Sequence, residues 1–86
     1  MNKILFTGGA GFIGSHLVDY FRKNFPECQI VILDKMTYAA DYRNISHLLL
    51  ENRVRLVVGD VCDFDLCATC VDGADLVVHA AAESHV

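Results

Sequence analysis

The sequence predicts a doubly wound parallel α/β sheet, of which these 86 residues hold the first four strands in the order 3-2-1-4. Three observations carry that expectation. Short, nearly continuous apolar runs alternate with amphipathic segments in the order β-α-β-α-β-α-β, the pattern of strands buried on both faces and joined by helical crossovers. The connections between them are short. The first run opens directly into a glycine-rich turn, Thr7-Gly8-Gly9-Ala10-Gly11-Phe12-Ile13-Gly14. Right-handed crossovers then place strand four beside strand one, and the chain reverses direction between them. In open sheets of this kind ligands bind at that switch point.

Residues 3–7 form strand one, short and apolar. From Phe12 to about Asn24 the apolar residues Ile13, Leu17, Phe21 and Phe25 recur at helical spacing, with Asp19, Arg22 and Lys23 on the opposite side. Asn24 and Pro26 end that helix. Residues 29–33, Gln-Ile-Val-Ile-Leu, are strand two, which stops at Asp34. A loop over 36–40 leads to a helix predicted over about 41–51, with Ile45, Leu48 and Leu49 on one face. Residues 54–58 are strand three, closed by Gly59-Asp60. Asp63 is placed to cap a short helix running to Val71, with Gly73 ending it. Asp75 opens strand four over residues 76–79, and Ala80-Ala81-Ala82-Glu83-Ser84-His85-Val86 follows.

The glycines fit a dinucleotide fingerprint twice, as Gly9-x-Gly11-x-x-Gly14 and as Gly8-x-x-Gly11-x-x-Gly14. A glycine-rich turn can simply join a strand to a helix; the strand before it and the amphipathic segment after it favour the nucleotide reading. A glycine at the first position allows a tight turn off the strand. Gly11 removes a Cβ that would hold a pyrophosphate away from the backbone, and Gly14 lets the helix lie close on the strand. The N–H groups of the first helical turn then face the phosphates. Asp34 lies 20 positions after Gly14, where a carboxylate accepts hydrogen bonds from the adenosine ribose. A carboxylate there repels a 2′-phosphate, which favours NAD over NADP, although Lys35 beside it could approach such a phosphate.

Bulk properties exclude several classes. The formal charge is −4 and no basic run exists, since Arg53 and Arg55 alternate with apolar residues; nothing resembles a nucleic-acid footprint. No apolar run approaches the ~18 residues of a membrane span. Met1-Asn2-Lys3 leads straight into a strand without a small-residue cleavage site, so no signal peptide is expected and the reading is a soluble cytoplasmic protein. The apolar fraction of 53% is high for so short a chain and suggests faces meant for further neighbours. Cys67-x-x-Cys70, with Cys62 and His79, could suggest a metal or redox site. Leu66, Cys67, Cys70 and Val71 nevertheless share one helical stripe, so the thiols are read as core groups and no metal is assigned.

These residues resemble the extended short-chain dehydrogenase/reductase superfamily, with its TGGAGFIG turn, acidic end to strand two and Asp-hydrophobic pair after strand three. Within it, Asp34-Lys35-Met36-Thr37-Tyr38-Ala39, Gly59-Asp60-Val61-Cys62-Asp63 and Ala81-Ala82-Glu83-Ser84-His85-Val86 look like the dTDP-glucose 4,6-dehydratase family. The resemblance spans the whole chain, and the last stretch is its more discriminating part. Ala40-Asp41-Tyr42-Arg43 departs from it where that family usually has a Gly-Asn pair, which leaves the sugar nucleotide open.

The resemblance implies a Rossmann-type domain that binds NAD. By it, Gly8, Gly11, Phe12, Ile13 and Gly14 hold the pyrophosphate, and Asp34, Lys35, Met36 and Thr37 hold the adenosine half. Asp60 and Val61 flank the adenine, Ala80, Ala81 and Ala82 line the path to the nicotinamide, and Glu83, Ser84 and His85 border a nucleotide-activated hexose. It further implies a homodimeric parent and a lyase reaction: hydride passes from sugar C4 to NAD, water leaves across C5 and C6, and hydride returns to C6. The family's general base is the tyrosine of a Tyr-x-x-x-Lys motif. Here Tyr20, Tyr38 and Tyr42 are followed four residues on by Asn24, Tyr42 and Ser46, so no catalytic residue is assigned, His85 included. His16, His47 and His79 receive no role. The expectation is the N-terminal part of a longer enzyme, inactive alone and without its substrate domain. The alternatives are the same portion of an NAD-dependent sugar-nucleotide epimerase or decarboxylase, or a non-catalytic NAD-binding module.

Overall fold

The computed structural model describes residues 1–37 and 39–80, the side chains of residues 39 and 40 excepted. Four parallel strands, β1 (Lys3–Thr7), β2 (Gln29–Asp34), β3 (Val54–Val58) and β4 (Leu76–His79), lie in the order β3-β2-β1-β4. Helix α1 (Phe12–Asn24) joins β1 to β2, α2 (Ala39–Ile45) with a 3₁₀ turn (Leu48–Leu50) joins β2 to β3, and α3 (Phe64–Val71) joins β3 to β4. The predicted order and all four strands are observed.

Burial explains the composition of the strands. Central β1 and β2 are covered on both faces, and Ile4, Leu5, Phe6 and Ile30 to Leu33 are all buried. Because successive strand side chains alternate sides, Ile4, Phe6, Ile30, Ile32 and Val54 pack on one face with Val18 of α1 and with Ile45 and Leu48. Leu5, Val31 and Leu33 pack on the other with Cys70 of α3. Helices therefore cover both faces, as a doubly wound sheet requires. The registers Thr7↔Leu33, Thr7↔His79 and Asp34↔Val58 bring the carboxyl ends of all four strands to one edge.

The helices differ from expectation in three places. Ile13 is 72% exposed, and the buried face of α1 is Gly14, Ser15 and Val18, with Leu17 and Phe21 partly buried. Gly14 sits against the backbone of Gly8 and Gly9; that close approach rotates the helix by one residue and turns Ile13 outward. The helix expected over 41–51 ends at Ile45, where the Ser46 N–H closes on the Tyr42 carbonyl, and the chain re-enters a 3₁₀ turn at Leu48. Asn44, Ser46 and His47 are weak helix formers, yet Ile45 and Leu48 still reach the core. Of the thiols, Cys28 and Cys70 are buried, Cys67 is half-buried and Cys62 is exposed, while Val71 also faces outward. The core reading thus holds for two of them fully. Asp63 caps α3 as expected, its carboxylate accepting the Leu66 N–H at 3.1 Å, and Gly73 beyond the helix end has φ 76°.

Arg53 fastens the opposite edge of the sheet. Its guanidinium donates to the carbonyls of Arg22 (2.7 Å), Cys28 (3.0 Å) and Phe25 (3.2 Å), and pairs with Glu51 at 3.0 Å. Three of these acceptors are backbone groups at and just beyond the end of α1, where helical carbonyls lack partners. Arg53→Ala is expected to cost about 2 kcal/mol in urea unfolding, the scale of hydrogen bonds to a charged group. Arg22 sits between Asp19 and Glu51, 2.6 Å from each, and holds both carboxyls below the usual carboxylate range. Groups with depressed values add stability that is fully present above their unfolded values, about 3.9 for Asp and 4.3 for Glu. That stability is lost as pH falls through the folded values. The urea midpoint should hold from pH 7 to 5 and drop below about pH 4, and Arg22→Met should shrink that acid-side drop.

Candidate functional site: the carboxyl edge between β1 and β4

The glycine turn leaves β1 at this edge. The Gly8 N–H donates to the Leu33 carbonyl at 2.8 Å, extending the β1–β2 pairing by one residue. Gly8 then takes φ 77°, a conformation that costs glycine little. Gly8 is therefore the turn-forming glycine, and Gly8-x-x-Gly11-x-x-Gly14 is the operative spacing. Gly9 fills another role, since a Cβ there would meet Ile32, Phe6 and Val18 side chains at 2.9–3.2 Å. A Cβ at Gly14 would run into the Gly8 carbonyl oxygen, whereas one at Gly11 would find, among the described residues, only that oxygen at 3.6 Å. Gly11 keeps the outer face of the turn open.

Helix α1 begins at this turn with Gly11 as its cap, no side-chain cap and no acidic residue in its first turn. Among the described residues nothing accepts from the Phe12 or Ile13 N–H. Unpaired donors and an uncompensated helix dipole at one point suit an anion. The side chains of Phe12 and Ile13 stand out into solvent, 72% exposed each, leaving those N–H groups accessible.

Asp34 ends β2 beside the turn, and its carboxylate is fixed twice. Oδ2 accepts the Ala10 N–H at 3.1 Å and Oδ1 accepts the Met36 N–H at 2.8 Å. Each oxygen retains a lone pair for a further donor, so a diol could bind without displacing either bond. Met36 adopts φ 57°, rare for a residue with a side chain; its bond to Asp34 helps hold it there. Asn44 of α2 completes the arrangement by donating its Nδ2–H to the Ala10 carbonyl at 2.9 Å. The peptide units flanking Ala10 are therefore gripped by Asp34 on one side and Asn44 on the other. No motif marks Asn44 in the sequence.

The Gly59 N–H donates to the Asp34 carbonyl at 3.0 Å, which sets the loop after β3 next to the end of β2. There Asp60 accepts the Cys62 N–H at 2.8 Å on Oδ1 and pairs with Lys35 Nζ at 3.2 Å through Oδ2. The Cys62 N–H, aided by Lys35, holds the Asp60 carboxyl below its ordinary range. Val61 and Thr37 are exposed on the same edge. At the switch point the Ala80 N–H donates to the Thr7 carbonyl at 2.7 Å, and Thr7 Oγ1 shares a 2.6 Å hydrogen bond with His79 Nδ1. His79, given no role from the sequence, thus ties β4 to β1 under the glycine turn. Ala81, Ala82, Glu83, Ser84 and His85 lie outside the described residues.

The structure therefore gathers Gly8, Gly11, Phe12, Ile13, Gly14, Asp34, Lys35, Met36, Thr37, Asp60, Val61 and Ala80 at one edge. Among the described residues no group of His, Cys, Asp and Glu side chains is arranged to hold a metal, and no helix is long and apolar enough to cross a membrane. Free amide donors, an open glycine face and a fixed carboxylate with spare lone pairs together fit a pyrophosphate joined to a ribose.

Comparisons with known proteins agree with that geometry. A family model described as the NAD dependent epimerase/dehydratase family matches residues 4–86. The dTDP-glucose 4,6-dehydratase of Streptomyces niveus is 44% identical over 88 residues, covering 98% of this chain and 26% of that protein. The crystal structure of dTDP-glucose 4,6-dehydratase from Bacillus anthracis in complex with NAD superposes with a TM-score of 0.86 at 31% identity, over 98% of this chain and 28% of that one. The NAD-bound enzyme of the same name from Streptomyces venezuelae gives 0.82 at 42% identity, over 98% and 27%. The chain thus spans about a quarter of the length of these relatives.

Proposed function

This chain belongs to the NAD dependent epimerase/dehydratase family, and on that premise we propose that it is the N-terminal, NAD-binding portion of a nucleotide-sugar dehydratase of the dTDP-glucose 4,6-dehydratase kind. The observation that carries the reading is the Ala10–Asp34 hydrogen bond, which makes the pyrophosphate donors and the ribose acceptor one rigid unit. The Phe12 and Ile13 N–H groups bind the pyrophosphate, Asp34 the ribose hydroxyls, and Lys35 to Thr37 with Asp60 and Val61 the rest of the adenosine half. Ala80 to Ala82 lead towards the nicotinamide, and Glu83, Ser84 and His85 meet the hexose. When bound, NAD supplies the redox chemistry on the sugar; the residues here bind and orient it.

The general base of the Tyr-x-x-x-Lys motif comes from a further part of the polypeptide, as does the substrate domain, and the complete protein is a homodimer. Residues 1–86 alone turn over no substrate. The four cysteines are unpaired, which suits a reducing compartment such as the cytoplasm. Assay of the full-length polypeptide with dTDP-glucose and with UDP-sugars tests the reading. A 4-keto-6-deoxy product is expected from dTDP-glucose. An epimerised sugar would move the assignment to the epimerases of the same family, and NAD binding without any turnover of these sugars would leave an NAD-binding module.

A further inference from the structure

We infer that Asp60 acts in cofactor choice by restraining Lys35, so that rejection of a 2′-phosphate depends on the Lys35–Asp60 ion pair as well as on Asp34; this rests on the NAD-binding reading above. Lys35 follows the ribose-side carboxylate directly and is the cation best placed in sequence to meet a phosphate on that ribose. In the structure its Nζ lies 3.2 Å from Asp60 Oδ2. The placement follows from the sheet. Register Asp34↔Val58 and the Gly59 N–H bond to the Asp34 carbonyl bring the loop after β3 level with the end of β2. The Cys62 N–H then fixes the other Asp60 oxygen, so the carboxylate faces Lys35 in a held orientation. Counting Asp34, Lys35 and Asp60 together, the adenosine edge carries one net negative charge, where Asp34 and Lys35 alone would cancel. Both partners are about half exposed, so the contact is modest and salt-sensitive. It is large enough to bias a choice between cofactors without fixing it.

Asp60→Asn isolates the effect. The amide oxygen still accepts the Cys62 N–H and preserves the turn, while the carboxylate charge that Asp60 sets against Lys35 is gone. NAD and NADP are titrated separately into the intact polypeptide, with dissociation constants read by calorimetry. In Asp60→Asn the NADP-to-NAD affinity ratio is expected to rise about two- to fivefold, the scale of one partly exposed charge–charge contact. In Asp60→Asn/Lys35→Gln the gain is expected to vanish. An unchanged ratio in the single variant, or a gain that persists in the double variant, overturns the inference while NAD binding itself stands. If the unsubstituted protein binds no NAD, the cofactor reading falls and this inference with it.

Discussion

Gly14→Ala is expected to weaken NAD binding by at least tenfold and to destabilise the fold by about 1–3 kcal/mol, the range of overpacking in a close-fitted site. The added methyl would collide with the Gly8 carbonyl oxygen and approach the Gly9 Cα at 3.0 Å and the Gly8 carbonyl carbon at 3.2 Å. All three are backbone atoms, so no side chain can rotate aside. Gly8 cannot yield easily either, because its N–H is bonded to Leu33 and its carbonyl accepts the Gly11 N–H. Relief requires α1 to move off the turn, carrying the Phe12 and Ile13 N–H groups out of position. Gly11→Ala is the informative comparison. Its methyl meets nothing closer than 3.6 Å among the described residues, so urea stability should be retained, while the methyl stands on the open face where a pyrophosphate must approach. Loss of NAD affinity in both variants, with loss of stability in Gly14→Ala alone, would separate helix packing from ligand contact. Full NAD affinity in Gly11→Ala would contradict the placement of the pyrophosphate on this turn.

The parts of this fold legible in the sequence are those set by local composition. β1 and β2 are continuous apolar runs because both faces are covered, and Asp63 and Gly73 sit where helix ends need them. What could not be read depends on tertiary approach. The period 13-17-21-25 is a sound helical stripe, but the demand that Gly14 face Gly8 overrides it and exposes Ile13. The break after Ile45 likewise lets Leu48 enter the core beside Val54 at the start of β3. At the site, Gly8 and Asp34 are found from spacing, because a turn and a strand end are local features, while Asp60 is reached through the family resemblance. Asn44, the Thr7–His79 bond and the Lys35–Asp60 pair are cross-element contacts between residues with no motif linking them. They emerge only once the strand order and register are known.

Asp34→Asn, ordinarily a mild substitution, is expected to reduce both NAD affinity, by roughly ten- to a hundredfold, and stability, by about 1 kcal/mol. The carboxylate accepts from two backbone donors on different oxygens, Ala10 and Met36. An amide offers one acceptor and one donor, so in either orientation an –NH₂ faces one of these N–H groups. Turned towards Ala10, it frees the phosphate turn; turned towards Met36, it removes the bond that helps keep that residue at φ 57°. Strained conformations of this kind persist only while their surroundings hold them. Binding loses as well, since a charged acceptor for the ribose hydroxyls becomes a neutral one. The joint loss is the diagnostic feature. A carboxylate that served the ligand alone would show weaker NAD binding at an unchanged urea midpoint. Should Asp34→Asn leave that midpoint unchanged, the bonds to Ala10 and Met36 contribute nothing to the fold, and the view of the phosphate turn and the ribose acceptor as one rigid unit would have to be given up.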